Sequence, residues 1–419
     1  MEQTNAEEVA TRHRAIRLWL QRKRPCEIIR HLARSHKWFY KWLGRYQKLG
    51  WPGLADQSRQ PHTSRHSYPA SARHLVVRLR QRAQKRKVGL IGARALQSEI
   101  KRHHLLRKAP SLSAINRWLK EADLLKSPLW VPGDVYYPAW RLPSGYVGQA
   151  MDWTARFLEG GAKVFASHTL DVQTHALAQT LTRDKTGASL QQHVLEVWQH
   201  FAVPDFLQLD NDAAFNGGGK TKRRFGAFVR LCLFLGIELI FIPVGEPERN
   251  GAVERVNGLW AQSFWERDHF RSWTDLLRKR HRFTQWYKQE YYPPALGDRT
   301  VAQAMRGHVR TRLTVRQLRA LPEELPLTAG RVHFIRRVST TGEIKLLNET
   351  WRVSRSLAHR YVWATVVTHG HRLEIYHRRS ERAAPRLVKT FAYQLPEVVA
   401  PLRTEYRRHP RRVPVLSLL

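Results

Sequence analysis

Three carboxylates in this sequence stand where chemistry could be done. Asp152 lies in YVGQAMDWTARF, which reads as a strand ending at that residue. Asp210 follows the apolar run DFLQL, and Glu254 comes after IELIFIP and a Pro/Gly-rich loop. An apolar run that enters a turn-rich loop and leaves as a helix puts Glu254 on a first helical turn at a sheet edge. With no Cys or imidazole cluster beside them, the three acids make a hard-oxygen set suited to Mg²⁺ or Mn²⁺. Two ions bridged by one carboxylate can activate an attacking hydroxyl and stabilise the leaving oxygen of an in-line phosphoryl transfer. Burying that much negative charge without a cation would be costly, so two ions are part of the expectation. A single Asp at a strand end is more often a cap or turn former. It is the order of the three that favours catalysis.

The elements that must position them have an α/β grammar over 145–300. Strands are expected at YVGQAMDWTARF, AKVFASHTLDV and ALAQTLTR, a helix at ASLQQHVLEVWQHF, and a strand at DFLQLDN. A helix, RFGAFVRLCLFLG, stopped by Gly236, and the strand IELIFIP complete the series. Three strands, helix, strand, helix, strand, helix is the order of the ribonuclease H-like fold. In that fold strands one and four are neighbours, which brings Asp152 and Asp210 together and lets Glu254 close the site.

Rival motifs are weaker. Asp212 falls on the other side of its strand end if Asp210 points inward, and Glu246 and Glu248 sit in the loop before Glu254. Gly217-Gly218-Gly219-Lys220-Thr221 imitates the end of a phosphate-binding loop, but Ala214 stands where that motif needs Gly. His193, Glu196 and His200 have the spacing of any amphipathic helix face and read as structural.

The charge names the partner class. The chain of 419 residues carries 72 Lys and Arg against 34 Asp and Glu, net +38, with 42% hydrophobic residues and 15 Trp. A foldable chain with that surplus points to a polyanion, nucleic acid before a membrane surface. There is no apolar signal core at the start and no apolar run of about 18 residues. Cys26 and Cys232 fit a reducing cytoplasm and rule out a Cys-based zinc cluster.

Residues 1–130 hold 29 Lys and Arg against 8 Asp and Glu. Residues 1–50 read as three helices, the last capped by Ser35 and presenting His36, Lys37 and Lys41, as a helix-turn-helix presents its reading helix to a major groove. A basic linker over 51–70 would run extended along DNA backbone through Arg59 and Arg65. The pattern recurs over 71–130, where the third helix, opened by Pro110-Ser111, offers Ser113, Asn116, Arg117 and Lys120. Two such units imply a bipartite double-stranded DNA site. Residues 262–291 look helical. Alternating stretches over 328–395 predict a small β-barrel, and the basic, then apolar tail 396–419 predicts a segment that docks on another protomer.

With AMDWT, LQLDNDAAF and GIELIFIP…NGAVERVN in view, the chain resembles insertion-sequence transposases of the retroviral-integrase superfamily, the DDE recombinases. The likeness runs over nearly the whole length, and KWLGRYQKLGWPGLADQSRQPH, PSLSAINRWLKEADLL and WYKQEYYPPALGDRTVAQAM also carry it. The resemblance implies metal-dependent cleavage at transposon ends and attack of the freed 3′-hydroxyl on target DNA. It also implies a homo-multimer on DNA, a cytoplasmic prokaryotic setting at the nucleoid, and a C-terminal barrel that helps bind DNA and assemble the complex. It makes Asn250 a DNA-end contact and Arg255 a substitute for the lysines such helices carry. The insertion NGGGKTKRR lengthens the gap before Glu254 and offers Lys220 and Lys222 to DNA. A regulator that kept the fold and lost the chemistry, or a non-recombining nuclease, are the rival classes. The three carboxylates weigh against the first and the paired helix-turn-helix regions against the second.

Overall fold

Ser35 begins the helix that organises the amino-terminal end. Its hydroxyl accepts the Trp38 N–H at 3.2 Å, while Pro25 opens the helix before it. The computed structural model describes residues 2–56, 68–86, 89–125, 135–216, 222–308 and 311–419, with side chains from residue 7 onward. Two compact units divide the chain, Met1–Tyr68 and Pro69–Leu419.

In the first unit, α1 (Glu2–Leu20), α2 (Pro25–His31) and α3 (His36–Leu49) enclose Ile16, Ile28, Phe39, Trp42, Leu43 and Leu54. The expected linker does not begin at residue 51. Trp51–Leu54 is a 3₁₀ turn with Leu54 wholly buried, because Gly50 (φ +67°) stops α3 and Gly53 lets the chain fold back against it. A Cβ on Gly53 would fall 2.6 Å from the Arg45 carbonyl. The centre of the linker, with Arg59 and Arg65, lies outside the described residues.

The second unit begins with α4 (Ala70–Gln84), α5 (Ala93–Arg102) and α6 (Leu112–Glu121). They belong to the same compact unit as the rest of the chain through Leu419. Arg267 donates to the Ala83 and Arg86 carbonyls, and Lys101–Asp298 and Arg102–Glu290 ion pairs bridge to the later helices.

A nine-stranded open sheet then forms. Its first five strands are β1 (Gly148–Phe157), β2 (Lys163–Asp171), β3 (Leu177–Thr182), β4 (Phe206–Leu209) and β5 (Glu238–Phe241). Between β3 and β4 runs α7 (Gly187–His200); α8 (Ala213–Asn216) and α9 (Ala227–Phe234) separate β4 from β5. The order β3-β2-β1-β4-β5, with β1 parallel to β4 and β4 parallel to β5, is the arrangement expected of a ribonuclease H-like core. Both short parallel strands are buried throughout, as strands covered on two faces must be.

Alternation assigns the faces. Met151, Trp153, Leu207, Leu209, Leu239 and Phe241 join α7 and α9 in one core. The other face takes α10 (Gly251–Ser263), α11 (Trp273–Lys279) and α12 (His281–Gln289), whose Val256, Trp260 and Phe283 share a core with Phe264, just past α10, and with Val164, Ala166 and Leu170 of β2. Two short helices, α13 (Val301–Ala304) and α14 (Val315–Arg319), lead to the last strands.

The expected barrel over 328–395 does not form. β6 (Arg331–Arg337) pairs in parallel with β5, matching Ile240 to His333. After the separate hairpin β7 (Glu343–Leu346) and β8 (Glu349–Arg352), strands β9 (Tyr361–Val367), β10 (Arg372–His377) and β11 (Arg386–Ala392) continue the same sheet. The reason lies in β5: buried on both faces, it would otherwise expose a row of unpaired backbone groups along its free edge. The tail is also corrected. Val413, Val415, Leu418 and Leu419 pack on Phe206, Ile240, Ile335 and Trp363 of their own sheet. No helix among the described residues is long and apolar enough to cross a membrane.

Candidate active site

Parallel register decides which residues meet. Ala150 of β1 lies opposite Gln208 of β4, so two residues further along each chain Asp152 and Asp210 come level. Alternation turns both away from the Leu207/Leu209 face and toward α10. On α10, Glu254 and Asn257 are one turn apart and share a side. Asn257 Nδ2 donates to Asp152 Oδ2 at 2.7 Å, which places Glu254 on the same flank. Asp152 does not end its strand, contrary to expectation: β1 continues to Phe157, held by nine antiparallel partners on β2.

The charges feel one another. Burial raises the Asp152 carboxyl to about 7, and repulsion from Asp210 and Glu254 adds to it, against the Trp153 N–H (2.7 Å) and Asn257, which both favour the charged form. Asp210 is raised by burial and by Asp212, with Lys185 opposing, and Glu254 is raised by burial and by Glu248. Among the described residues, no three of His, Cys, Asp and Glu stand close enough together to hold a metal ion. The donor type and the mutual repulsion fit a divalent cation.

Two supports were not legible in the sequence. His168 of β2 faces Asp152 across the strand pair and is wholly buried. Because Asn257 gives its amide N–H to Asp152, its Oδ1 must accept the His168 Nδ1–H (2.6 Å). That leaves His168 Nε2 to accept from Gln179 Nε2 (2.7 Å). Burial lowers the imidazole to about 4, so the ring is neutral and of one tautomer. A polar residue at an inward position of AKVFASHTLDV was the one signal available. Asn257→Ala, which strands the His168 donor and frees the Asp152 carboxylate, is expected to cost about 1–3 kcal/mol in thermal or urea unfolding. Unchanged stability would mean that the relay supports nothing.

Arg336 is the second support. This β6 side chain is nine-tenths buried and gives hydrogen bonds to the Ile242 carbonyl (2.9 Å) and Asn211 Oδ1 (2.7 Å). It has no carboxylate partner among the described residues, and burial lowers it to about 10. One guanidinium thus ties the exit of β4, beside Asp210, to the exit of β5 that leads to Glu254.

Asn250 is corrected. It is 1% exposed, accepting from Gln208 (2.9 Å) and donating to the Met151 carbonyl (3.1 Å), so it joins β1 to β4 instead of facing a ligand. The loop before it is pinned as well: Arg249 pairs with Glu246 at 3.0 Å and lies over the Tyr137 ring, while Tyr361 binds Glu246 at 2.6 Å. Asp212 caps α8 through the Ala214 N–H and pairs with Lys185, which lies 4.0 Å over the Trp153 ring. His193 is structural, both nitrogens bonded to the hydroxyls of Thr169 and Thr180.

Of the candidate DNA contacts, His36, Lys37 and Lys41 are exposed on α3, and Ser113, Asn116, Arg117 and Lys120 on α6, each helix burying its opposite side. Arg255 and Lys222 are exposed; Lys220 lies outside the described residues. The end of the insertion folds inward, with Arg223 paired to Glu349 of β8 at 2.8 Å.

Residues 6–55 match the family profile of a homeodomain-like domain. That segment is a helix-turn-helix. Among solved structures, the HTLV-2 integrase catalytic core in complex with magnesium, in dimeric and trimeric forms, is 16% identical. Each match covers 38% of this chain and 94% of that one, with a TM-score of 0.27. The simian T-cell lymphotropic virus intasome in complex with PP2A regulatory subunit B56 gamma is 14% identical over 72% of this chain and 96% of that chain, also at 0.27. At those scores the likeness carries no weight, and the fold is assigned from the strand order itself.

Proposed function

We propose that this chain is a DNA transposase that cleaves transposon 3′ ends and transfers the freed strand into target DNA. The observation that carries it is the convergence of Asp152, Asp210 and Glu254 on one face of the sheet, close enough for Asp152 to feel the other two. These three would hold Mg²⁺ or Mn²⁺, two ions in all, which when bound would supply charge stabilisation around phosphorus and an activated hydroxyl. The chain's own part is orientation. Trp153 N–H and Asn257 fix the Asp152 carboxylate, the neutral His168 fixes Asn257, and Arg336 fixes the two loops beside Asp210 and Glu254.

End recognition falls to α3 through His36, Lys37 and Lys41 and to α6 through Ser113, Asn116, Arg117 and Lys120. Arg59, Arg65, Lys220, Lys222 and Arg255 would add phosphate contacts, and two ends with one target call for a homo-multimer. The alternative is a DNA-binding regulator that keeps the fold and never cuts. Labelled transposon-end duplex incubated with the full chain and Mg²⁺ or Mn²⁺ separates them. Nicked ends and strand-transfer products support the transposase; binding without any cleavage leaves the regulator.

A further inference from the structure

At the opposite end of the parallel strands from the carboxylates lies a cavity of about 250 Å³. Asp205, just before β4, and Glu238, which opens β5, are among the residues that line it. The carboxy-terminal segment crosses it with Arg407, Arg411 and Arg412. Both acids are already committed. Asp205 accepts from the Val147 N–H (2.8 Å), Arg408 (3.0 Å) and His409 (3.1 Å); Glu238 accepts from Arg331 and His333, each at 3.0 Å. Arg412 reaches the Ala329 carbonyl at 2.7 Å and no carboxylate among the described residues. Arg407 and Arg411 are exposed, and neither has a carboxylate partner among the described residues.

The cavity is therefore lined by three arginines that have no ion-pair partner among the described residues. Nearby His369 is lowered by burial and further by Arg412, Arg372 and Arg331. Arg412 is itself lowered by burial and by repulsion from Arg331 and Arg407, against the pull of Glu238.

The geometry points to a second nucleic-acid contact here, in which Arg407, Arg411 and Arg412 take backbone phosphates of a DNA segment other than the one at the carboxylates. β4 has four residues, so at roughly 3.3 Å per residue the two sheet ends are about 13 Å apart. The three cations are exposed to solvent while the acids that line the cavity with them are paired, which suits a passing phosphodiester better than an enclosed single anion. Phosphate neutralisation by charge alone carries no base readout, so the contact is indifferent to sequence. This inference rests on the reading of the chain as a DNA-handling protein.

The test uses the full chain with Arg407→Ala and Arg411→Ala combined, both exposed positions, its fold checked by thermal melting. A random-sequence duplex is titrated at several NaCl concentrations. The plot of log affinity against log salt should become shallower by about 2, about one for each lost phosphate contact. End cleavage at saturating DNA should be unchanged, and Arg407→Lys with Arg411→Lys should restore the slope, because only charge is needed. An unchanged slope in the alanine variant overturns the inference. So does inorganic phosphate binding that the alanine variant loses while its duplex slope stays as in wild type, since the cavity then holds a free anion. If the slope falls as expected but wild type never cuts ends, the cavity stands and the transposase reading fails.

Discussion

Asp152→Asn and, separately, Glu254→Gln are expected to lower end cleavage on the order of 10⁴-fold, with affinity for end DNA unchanged. Both substitutions keep size and remove charge, so what they delete is the ability to hold a cation and the field at the reacting phosphate. Asp152→Asn carries a further consequence. The new amide has a donor at one of its two terminal atoms, where the Asp152 carboxylate accepts from both Trp153 N–H and Asn257 Nδ2. Asn257 cannot turn over to suit it without losing the His168 Nδ1–H at its other end. The Asp152 variant should therefore be the more severe of the two in cleavage rate. DNA affinity is spared because the exposed faces of α3 and α6 are untouched. Gel separation of labelled ends measures the rate and fluorescence anisotropy the affinity; cleavage surviving in both variants would sink the three-carboxylate site.

In a chelator, thermal stability should fall as pH rises from about 4 to about 7. An unfolded aspartate titrates near 3.8, whereas Asp152 in the fold titrates near 7. Between those values the native state keeps a proton that the unfolded chain has released, so each step up in pH favours unfolding. Above about 7 the effect levels off. The separation sets a ceiling of about 4 kcal/mol, and Asp210 and Glu254, raised by burial and neighbouring acids, act in the same direction. Asp152→Asn, which has no proton to release, should flatten the curve. Mg²⁺ should raise the wild-type melting temperature at pH 8, since a ligand of the native state stabilises by mass action, and should barely move the variant. A wild-type curve that rises with pH would contradict the burial of Asp152, and a melting temperature indifferent to Mg²⁺ would favour the regulator.

What could be read in advance depends on the range of the interaction. Ser35 as a cap, Gly236 as a helix stop and the three-helix amino-terminal unit depend on neighbours within a few residues, and each appears where the residue pattern places it. That strands one and four are neighbours was also legible, because the order of strands and helices along the chain matches that of a ribonuclease H-like fold. Asn250 was misread because its role depends on Gln208 and Met151, distant in sequence.

By itself the sequence determined the charge, the helix-turn-helix pattern and the choice of Asp152, Asp210 and Glu254, all written in residue type and local period. Tertiary structure alone decided that the late strands extend the central sheet instead of closing a barrel, and that the tail folds onto its own chain. It also brought His168 to Asn257, which holds Asp152, and Arg336 to Asn211, which follows Asp210. The physical reason is shared: an alternating strand has equal claims to an edge, a hairpin or a barrel until a buried neighbour with unpaired backbone groups, here β5, takes it as a partner.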